Sequence, residues 1–308
     1  MKGFLKLLAL FSIPLLVALI AGEAIVRQYP NSYRAKDEWL RKHRQETETL
    51  VLGNSHTYYS VNPSLLRTRT FSVANVSQTL EYDWKLLEHY FGDDSCHLRN
   101  VIVQLDFGNL FDYPLEESPW DWERVIYYRL YMGLDGQEPL NLSNRCELSC
   151  LASFKRKLTP ALSYLLTGEY SIDCDSLGFG ITTTRVHNPA VMNQALEKAM
   201  HRFATIDYSQ SAYNEQYLYR IAEFCQSRGI RMIIIATPLW REFALRKSRT
   251  GDPALRQAAE TCVEQYGACY HDYSTDARIV DEDFVDGEHM SPLGAEHFSR
   301  ILTDDYGL

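Results

Sequence analysis

The sequence predicts an α/β protein built on a parallel sheet with helices on both faces. Two observations carry this. Short apolar runs such as VIVQL (101–105) and MIIIA (232–236) show no alternation of apolar and polar residues, the pattern of strands covered on both sides. Between such runs lie stretches of helical length whose apolar residues recur at i, i+3, i+4 and i+7. Strands that alternate with helices of this kind form parallel sheets, and 308 residues are ample for a sizeable core.

Taken in order, residues 7–21 (LLALFSIPLLVALIA) carry no charge. With Phe4, Leu5 and the residues to Val26 they approach the ~20 needed to cross a bilayer. Lys2 and Lys6 precede them and favour leaving that end in the cytoplasm. Residues 1–30 are therefore read as an uncleaved single-pass anchor. A cleaved signal, with Gly22-Glu23-Ala24 as a poor small-x-small site, is the competing reading. A buried core helix is the third, and such helices are rarely charge-free on every face. Residues 31–48 read as a polar juxtamembrane helix or linker, and 49–308 as the exported domain.

Within that domain the expected strands are Thr49–Gly53, Phe71–Ala74, Val101–Leu105, Met232–Ala236 and a weaker fifth at Cys269–Tyr273. A helix over 79–91 places Leu80, Trp84, Leu87 and Phe91 on one side. A second, over 213–228, gathers Tyr217, Leu218, Ile221, Phe224 and Cys225, with Gly229 as its C-terminal cap. A third, over 253–266, takes Asp252 as N-cap and Pro253 as first helical residue, and Gly267 closes it. Residues of about 113–210 break the rhythm, too long for a plain loop. They read as a mostly helical insertion over the strand ends, with an amphipathic run near Phe154–Leu166. Its aromatic cluster (Trp120, Trp122, Tyr127, Tyr128, Tyr131) suits core packing or stacking on sugar rings.

The formal net charge of −9 argues against a nucleic-acid partner, and Lys155-Arg156-Lys157 reads as a solvated face. Seven cysteines, at 96, 146, 150, 174, 225, 262 and 269, show neither CxxC nor zinc-ligand spacing. Cys146 with Cys150 and Cys262 with Cys269 are close enough in sequence to bridge, and Cys225 reads as a buried small hydrophobe.

The chemistry-bearing residues lie at two strand ends. VLGNSH (51–56) places Ser55 at the carboxyl edge of the first strand, where parallel sheets hold ligands. A serine nucleophile needs a base and a group to orient that base. FVDGEHMSP (284–292) offers both after the last strand, His289 with Asp286 three residues earlier and Gly287 for the bend. Ser291 and Pro292, as N-cap and first residue of a final helix, would fix that loop. His56 and His297 read as packing or surface residues, and a metal site from His56, Glu288 and His289 competes for the same residues.

Gly53-Asn54-Ser55-His56 resembles the first block of the SGNH (GDSL-like) hydrolases, and Asp286-Gly287-Glu288-His289 their last. The resemblance implies a flavodoxin-like three-layer α/β/α sandwich with Ser55, His289 and Asp286 as catalytic triad and no cofactor or metal. With the N-terminal anchor, the chain resembles the membrane-tethered branch of AlgJ/AlgX- and DltD-like proteins, which act on cell-envelope polysaccharides. Implied partners are an acylated carbohydrate or other ester and a membrane-bound O-acyltransferase. The implied location is the bacterial inner membrane, with the domain on the extracytoplasmic side. The middle blocks, AlaAsnValSerGlnThr (74–79) and LeuAspPheGlyAsn (105–109), depart from the family pattern. Ser77 and Gln78 are expected to give backbone oxyanion donors, and Asn109, or else Gln78, a side-chain donor. A serine esterase or O-acyltransferase is the leading expectation. A non-catalytic scaffold that binds polysaccharide or the acyltransferase is the alternative.

Overall fold

The structure, a computed structural model, describes residues 2–93, 97–134, 145–181, 187–247 and 249–308. Cys96 lies outside the described residues. In chain order the elements are α1 (Lys2–Gln28), α2 (Ser32–His43), β1 (Thr49–Val51), α3 (Ser55–Ser60), β2 (Thr70–Ser72), α4 (Leu80–Phe91), β3 (Asn100–Gln104) and α5 (Phe107–Leu110). There follow α6 (Arg124–Met132), α7 (Leu151–Thr167), α8 (Pro189–Phe203), α9 (Ser211–Ser227), β4 (Arg231–Ala236), α10 (Arg241–Arg246), α11 (Asp252–Tyr266), β5 (Cys269–Asp272) and α12 (Pro292–Tyr306).

The five strands form one all-parallel sheet in the order β2-β1-β3-β4-β5. Leu50, Val51, Ile102, Val103, Ile233 and Ile234 are fully buried, which is why these runs lack alternation. Right-handed crossovers dictate the layers. The step from β1 out to β2 puts α3 on one face. The steps from β2 to β3, β3 to β4 and β4 to β5 run the other way and put α4, α9 and α11 on the opposite face, where they pack side by side. After β5 the chain returns, and α12 packs on α3. The result is the expected three-layer α/β/α sandwich.

The chain forms two compact units. One holds residues 1–37 and 120–172, the other 38–119 and 173–308, including the whole sheet. The 113–210 segment is thus shared between them. In the first unit the C-terminal part of α1 packs on α7 through Val26, Phe154 and Ala161. Glu23 accepts from the Arg27 guanidinium and from the N–H groups of Glu147 and Leu148. Tyr127, Tyr128 and Tyr131 are buried, the first two against Tyr33, so the tyrosines of the aromatic cluster serve packing. In the second unit, Cys174–Gly180 makes a small hairpin beside β2, where the Ser72 N–H donates to Leu177 O.

Two local expectations need correction. Gly251, not Asp252, caps α11; Asp252 is its first residue, where a carboxylate suits the helix N-terminus. Cys146, Cys150, Cys262 and Cys269 are free thiols. Cys150 instead donates to Glu123 Oε2 at 2.8 Å, and Cys262 is buried in α11, where burial pushes its thiol up to about 12.

Candidate active site

Sheet order reverses at β1, from which the chain leaves for β2 on one side while β3 leads to β4 and β5 on the other. Open α/β sheets hold their ligands in the crevice at such a switch point. The loops after β1 and β3 meet there. Gly53 has φ +125°, and a Cβ at that position would collide with the Thr57 and Gln104 side chains, so only glycine makes this turn. The Gly53 N–H donates to Asp83 Oδ1 at 2.8 Å. Burial pushes the Asp83 carboxyl up to about 7, although the hydrogen bonds from Gln78 and Gly53 pull it down.

Asn54 caps α3 and is held at every polar group. Its Oδ1 accepts from His56 N at 2.9 Å, its Nδ2 donates to Gly108 O at 2.8 Å, and its N–H donates to Gln104 Oε1 at 3.0 Å. That lattice of bonds presents Ser55, the first residue of α3 and half-buried, at the edge of the sheet.

Residues 284–290, which hold Asp286 and His289, form a tight hairpin. Phe284 and Met290 form an antiparallel bridge, and the Val285 N–H donates to His289 O. Ser291 caps α12 through Gly294 N at 3.1 Å and fixes the end of the loop. His289 Nε2 lies 2.8 Å from Ser55 Oγ, and His289 Nδ1 is 3.0 Å from both oxygens of Asp286. Asp286 Oδ1 also accepts from the N–H groups of Glu288 and His289. Burial opposes charge on Asp286, but His289 and these two N–H groups outweigh it and hold the carboxyl well below its ordinary value. An ionised Asp286 accepts from Nδ1–H, which leaves Nε2 with a lone pair to receive the serine proton.

A second histidine–carboxylate pair stands beside the first. His56 Nδ1 is 2.8 Å from Asp106 Oδ2, and its ring centroid is 5.3 Å from that of His289. Asp106 also accepts from Gln104 and Gly108. Burial opposes its charge, yet His56 and these donors lower its pKa. Glu288 Oε1 lies 3.7 Å from His56 Nε2. Sequence reasoning took His56 for a packing residue. The missed signal is that His56 and Asp106 each follow a strand, and that those strands are neighbours in the sheet. His297 lies 2.8 Å from Asp283 and is partly exposed. Among the described residues no cluster of three or more metal-ligating side chains forms.

The oxyanion expectations divide. Asn109 is fully buried and spent on structure: its Nδ2 donates to Gln104 O at 2.6 Å and its Oδ1 accepts from Asp106 N at 3.0 Å. Gln78 is likewise committed, its side chain to Asp83 and its N–H to Asn75 O. Ser77 adopts a positive φ of 57°, and no acceptor meets its N–H among the described residues. On the same loop the Asn75 N–H donates to Gly53 O at 3.1 Å, while its buried Nδ2 has no acceptor. Asn75 is a donor that sequence reasoning passed over.

A cavity of about 400 Å³ opens at the carboxyl ends of β3, β4 and β5, with His56, Asp106, Gly108, Thr237, Lys247 and Glu288 in its wall. Ser55 and His289 do not line it, but their sequence neighbours do. No family model matches the chain, and no curated protein matches it either.

Proposed function

We propose that this protein is a membrane-tethered serine ester hydrolase or O-acyltransferase that acts on ester groups, acetyl above all, of a cell-envelope carbohydrate. The observation that carries the reading is the run Ser55 Oγ–His289 Nε2 at 2.8 Å and His289 Nδ1–Asp286 at 3.0 Å. In this reading Ser55 attacks the ester carbonyl as His289 takes its proton, and His289 returns that proton to the departing alcohol. Asp286 fixes the ring and stabilises the imidazolium. The N–H groups of Ser55 and Ser77, with the Asn75 amide, stabilise the oxyanion. Water as second acceptor makes an esterase, and a sugar hydroxyl makes a transferase. The polar cavity beside His56 suits a polyhydroxylated group. The apolar α1 supports a single-pass anchor, with the domain on the extracytoplasmic side of a bacterial inner membrane and a membrane-bound O-acyltransferase as acyl supplier.

The commitment of Gln78 and Asn109 to structure favours a second reading, a non-catalytic scaffold that binds polysaccharide or the acyltransferase. A fluorophosphonate probe separates the two. Labelling of wild type, lost in Ser55→Ala and His289→Ala, is the expected result. A folded wild type that stays unlabelled would leave the scaffold.

A further inference from the structure

The unit formed by residues 1–37 and 120–172 carries a surface that the ester chemistry does not use. Along α1 the side chains from Leu10 to Ile20 are exposed, most of them 58–72 %. Beyond that run the helix is in close contact at Gly22, where a Cβ would stand 3.0 Å from the Phe154 ring. Glu23 and Arg27, paired at 2.7 Å, follow Gly22 and are the first charges beyond that exposed apolar run. The exposed apolar side chains stop at Ile20 and charged ones begin at Glu23, which sets the level of Gly22 at the headgroups.

α7 rises from that level in the same direction as α1. Phe154 meets Gly22, and ten residues later Tyr164 packs against Tyr29 at 6.1 Å between ring centroids. Leu151, the first residue of α7, therefore lies about 4.5 Å nearer the membrane than Phe154. Glu123 accepts from Cys150 Sγ and Ser153 Oγ, each at 2.8 Å, which ties the turn beginning at Trp120 to that same end of the helix. The residues at this level are Trp120, 85 % exposed, Leu151, 62 % exposed, and the solvent-facing Lys155 and Arg156. An amphipathic aromatic, an aliphatic side chain and two long cations are the composition of a membrane–water interface.

We infer that Trp120 and the first turn of α7 rest in the headgroup layer of the bilayer that α1 crosses, with Trp120 and Leu151 in the interface and Lys155 and Arg156 against lipid phosphates. The chain is thereby held at two points, by a span and by a seat. The far end of α7 stays in water: Leu166, 87 % exposed, lies ~18 Å beyond Phe154 along the helix axis, clear of the ~5–8 Å headgroup layer. This inference rests on the membrane part of the proposed function and is independent of Ser55.

The test uses the full chain in vesicles of phosphatidylethanolamine and phosphatidylglycerol whose acyl chains are brominated either near the headgroup or near the chain ends. The chain is expected to float with the vesicles, and shallow bromines to quench part of its tryptophan fluorescence more than deep ones do. Trp120→Phe should abolish most of that quenching. In the Trp120→Phe background, Leu151→Trp should restore it and Leu166→Trp should not. All three positions are exposed, so the substitutions leave the core untouched. Quenching that survives Trp120→Phe, with Leu151→Trp no more quenched than Leu166→Trp, overturns the seat while α1 still holds the chain to the vesicles. A chain that does not float overturns the span and the seat together, whatever the fluorophosphonate probe shows at Ser55.

Discussion

Asp83→Asn is expected to remove most of one pH dependence from the stability of the sheet-bearing unit. Asp83 is buried beneath the turn that presents Ser55, and burial moves its carboxyl from 3.8 to about 7. A group whose folded pKa is raised binds its proton more tightly in the folded state. Wild type is therefore stabilised at low pH and loses that contribution as pH rises from near 4 through about 7. Each decade of proton affinity is about 1.4 kcal/mol, so roughly three decades amount to ~4 kcal/mol. Asparagine copies the shape of the neutral acid. Its carbonyl keeps the donors Gly53 N and Gln78 Nε2, and its amide takes the place of Oδ2, which has no partner. Urea unfolding of the full chain in detergent, followed at pH 4 and pH 8, measures the difference. Wild type should lose ~4 kcal/mol more than Asp83→Asn between the two. Equal losses would show that Asp83 is ionised throughout and would refute the reasoning.

Three other outcomes follow from the site. Asp286→Asn should lower the fluorophosphonate labelling rate of Ser55 by about 10⁴, because the amide leaves His289 in the wrong tautomer; an unchanged rate removes Asp286 from the triad. Asn75→Ala should cost about 10²–10³ in that rate, whereas Asn109→Ala should unfold more easily by ~2–3 kcal/mol with its labelling per folded molecule intact. The reverse pattern would return Asn109 to the oxyanion role. Gly53→Ala should destabilise by ~3 kcal/mol or more, since alanine at that positive φ is strained and its Cβ has no room; a fully stable variant would mean that the turn relaxes freely.

The parts of this molecule legible in the sequence are those set by local pattern. VIVQL and MIIIA announce buried strands because both faces of a parallel sheet are covered. Gly229 and Gly267 announce helix ends because a left-handed residue suits glycine there, as the φ of 66° and 71° shows. Ser291-Pro292 announces α12 by the same kind of local chemistry. Ser55, Asp286 and His289 were legible because Ser55 follows β1 and the other two lie just before the capped start of α12, and the structure brings all three within hydrogen-bond reach. What escaped the sequence depends on partners far along the chain. Asn109 looked like a donor until its own neighbours, Gln104 O and Asp106 N, took both ends of its amide. His56 looked like packing until Asp106, 50 positions away, met it. The cysteine pairs were near in sequence, but Cys150 donates to Glu123 and Cys262 is buried within α11. The division of 113–210 between two units is likewise a matter of which distant segment each half packs on.

The bond between Ser55 and His289 joins residues 234 positions apart, and this separation sets a clock. Synthesis delivers the serine in the first fifth of the chain and the histidine near its end. Throughout that interval Ser55 lacks the imidazole of His289 that meets it in the folded chain. The hairpin of 284–290 is useful only once α12 has settled on α3, a contact fixed by the Asn62 N–H on Ser299 Oγ at 2.8 Å. The pairing of Ser55 with His289 is thus a property of the folded chain and of no single segment of it. The turn that holds Ser55 keeps its own bonds, to Asp83, Gln104 and Gly108, independently of the 284–290 hairpin.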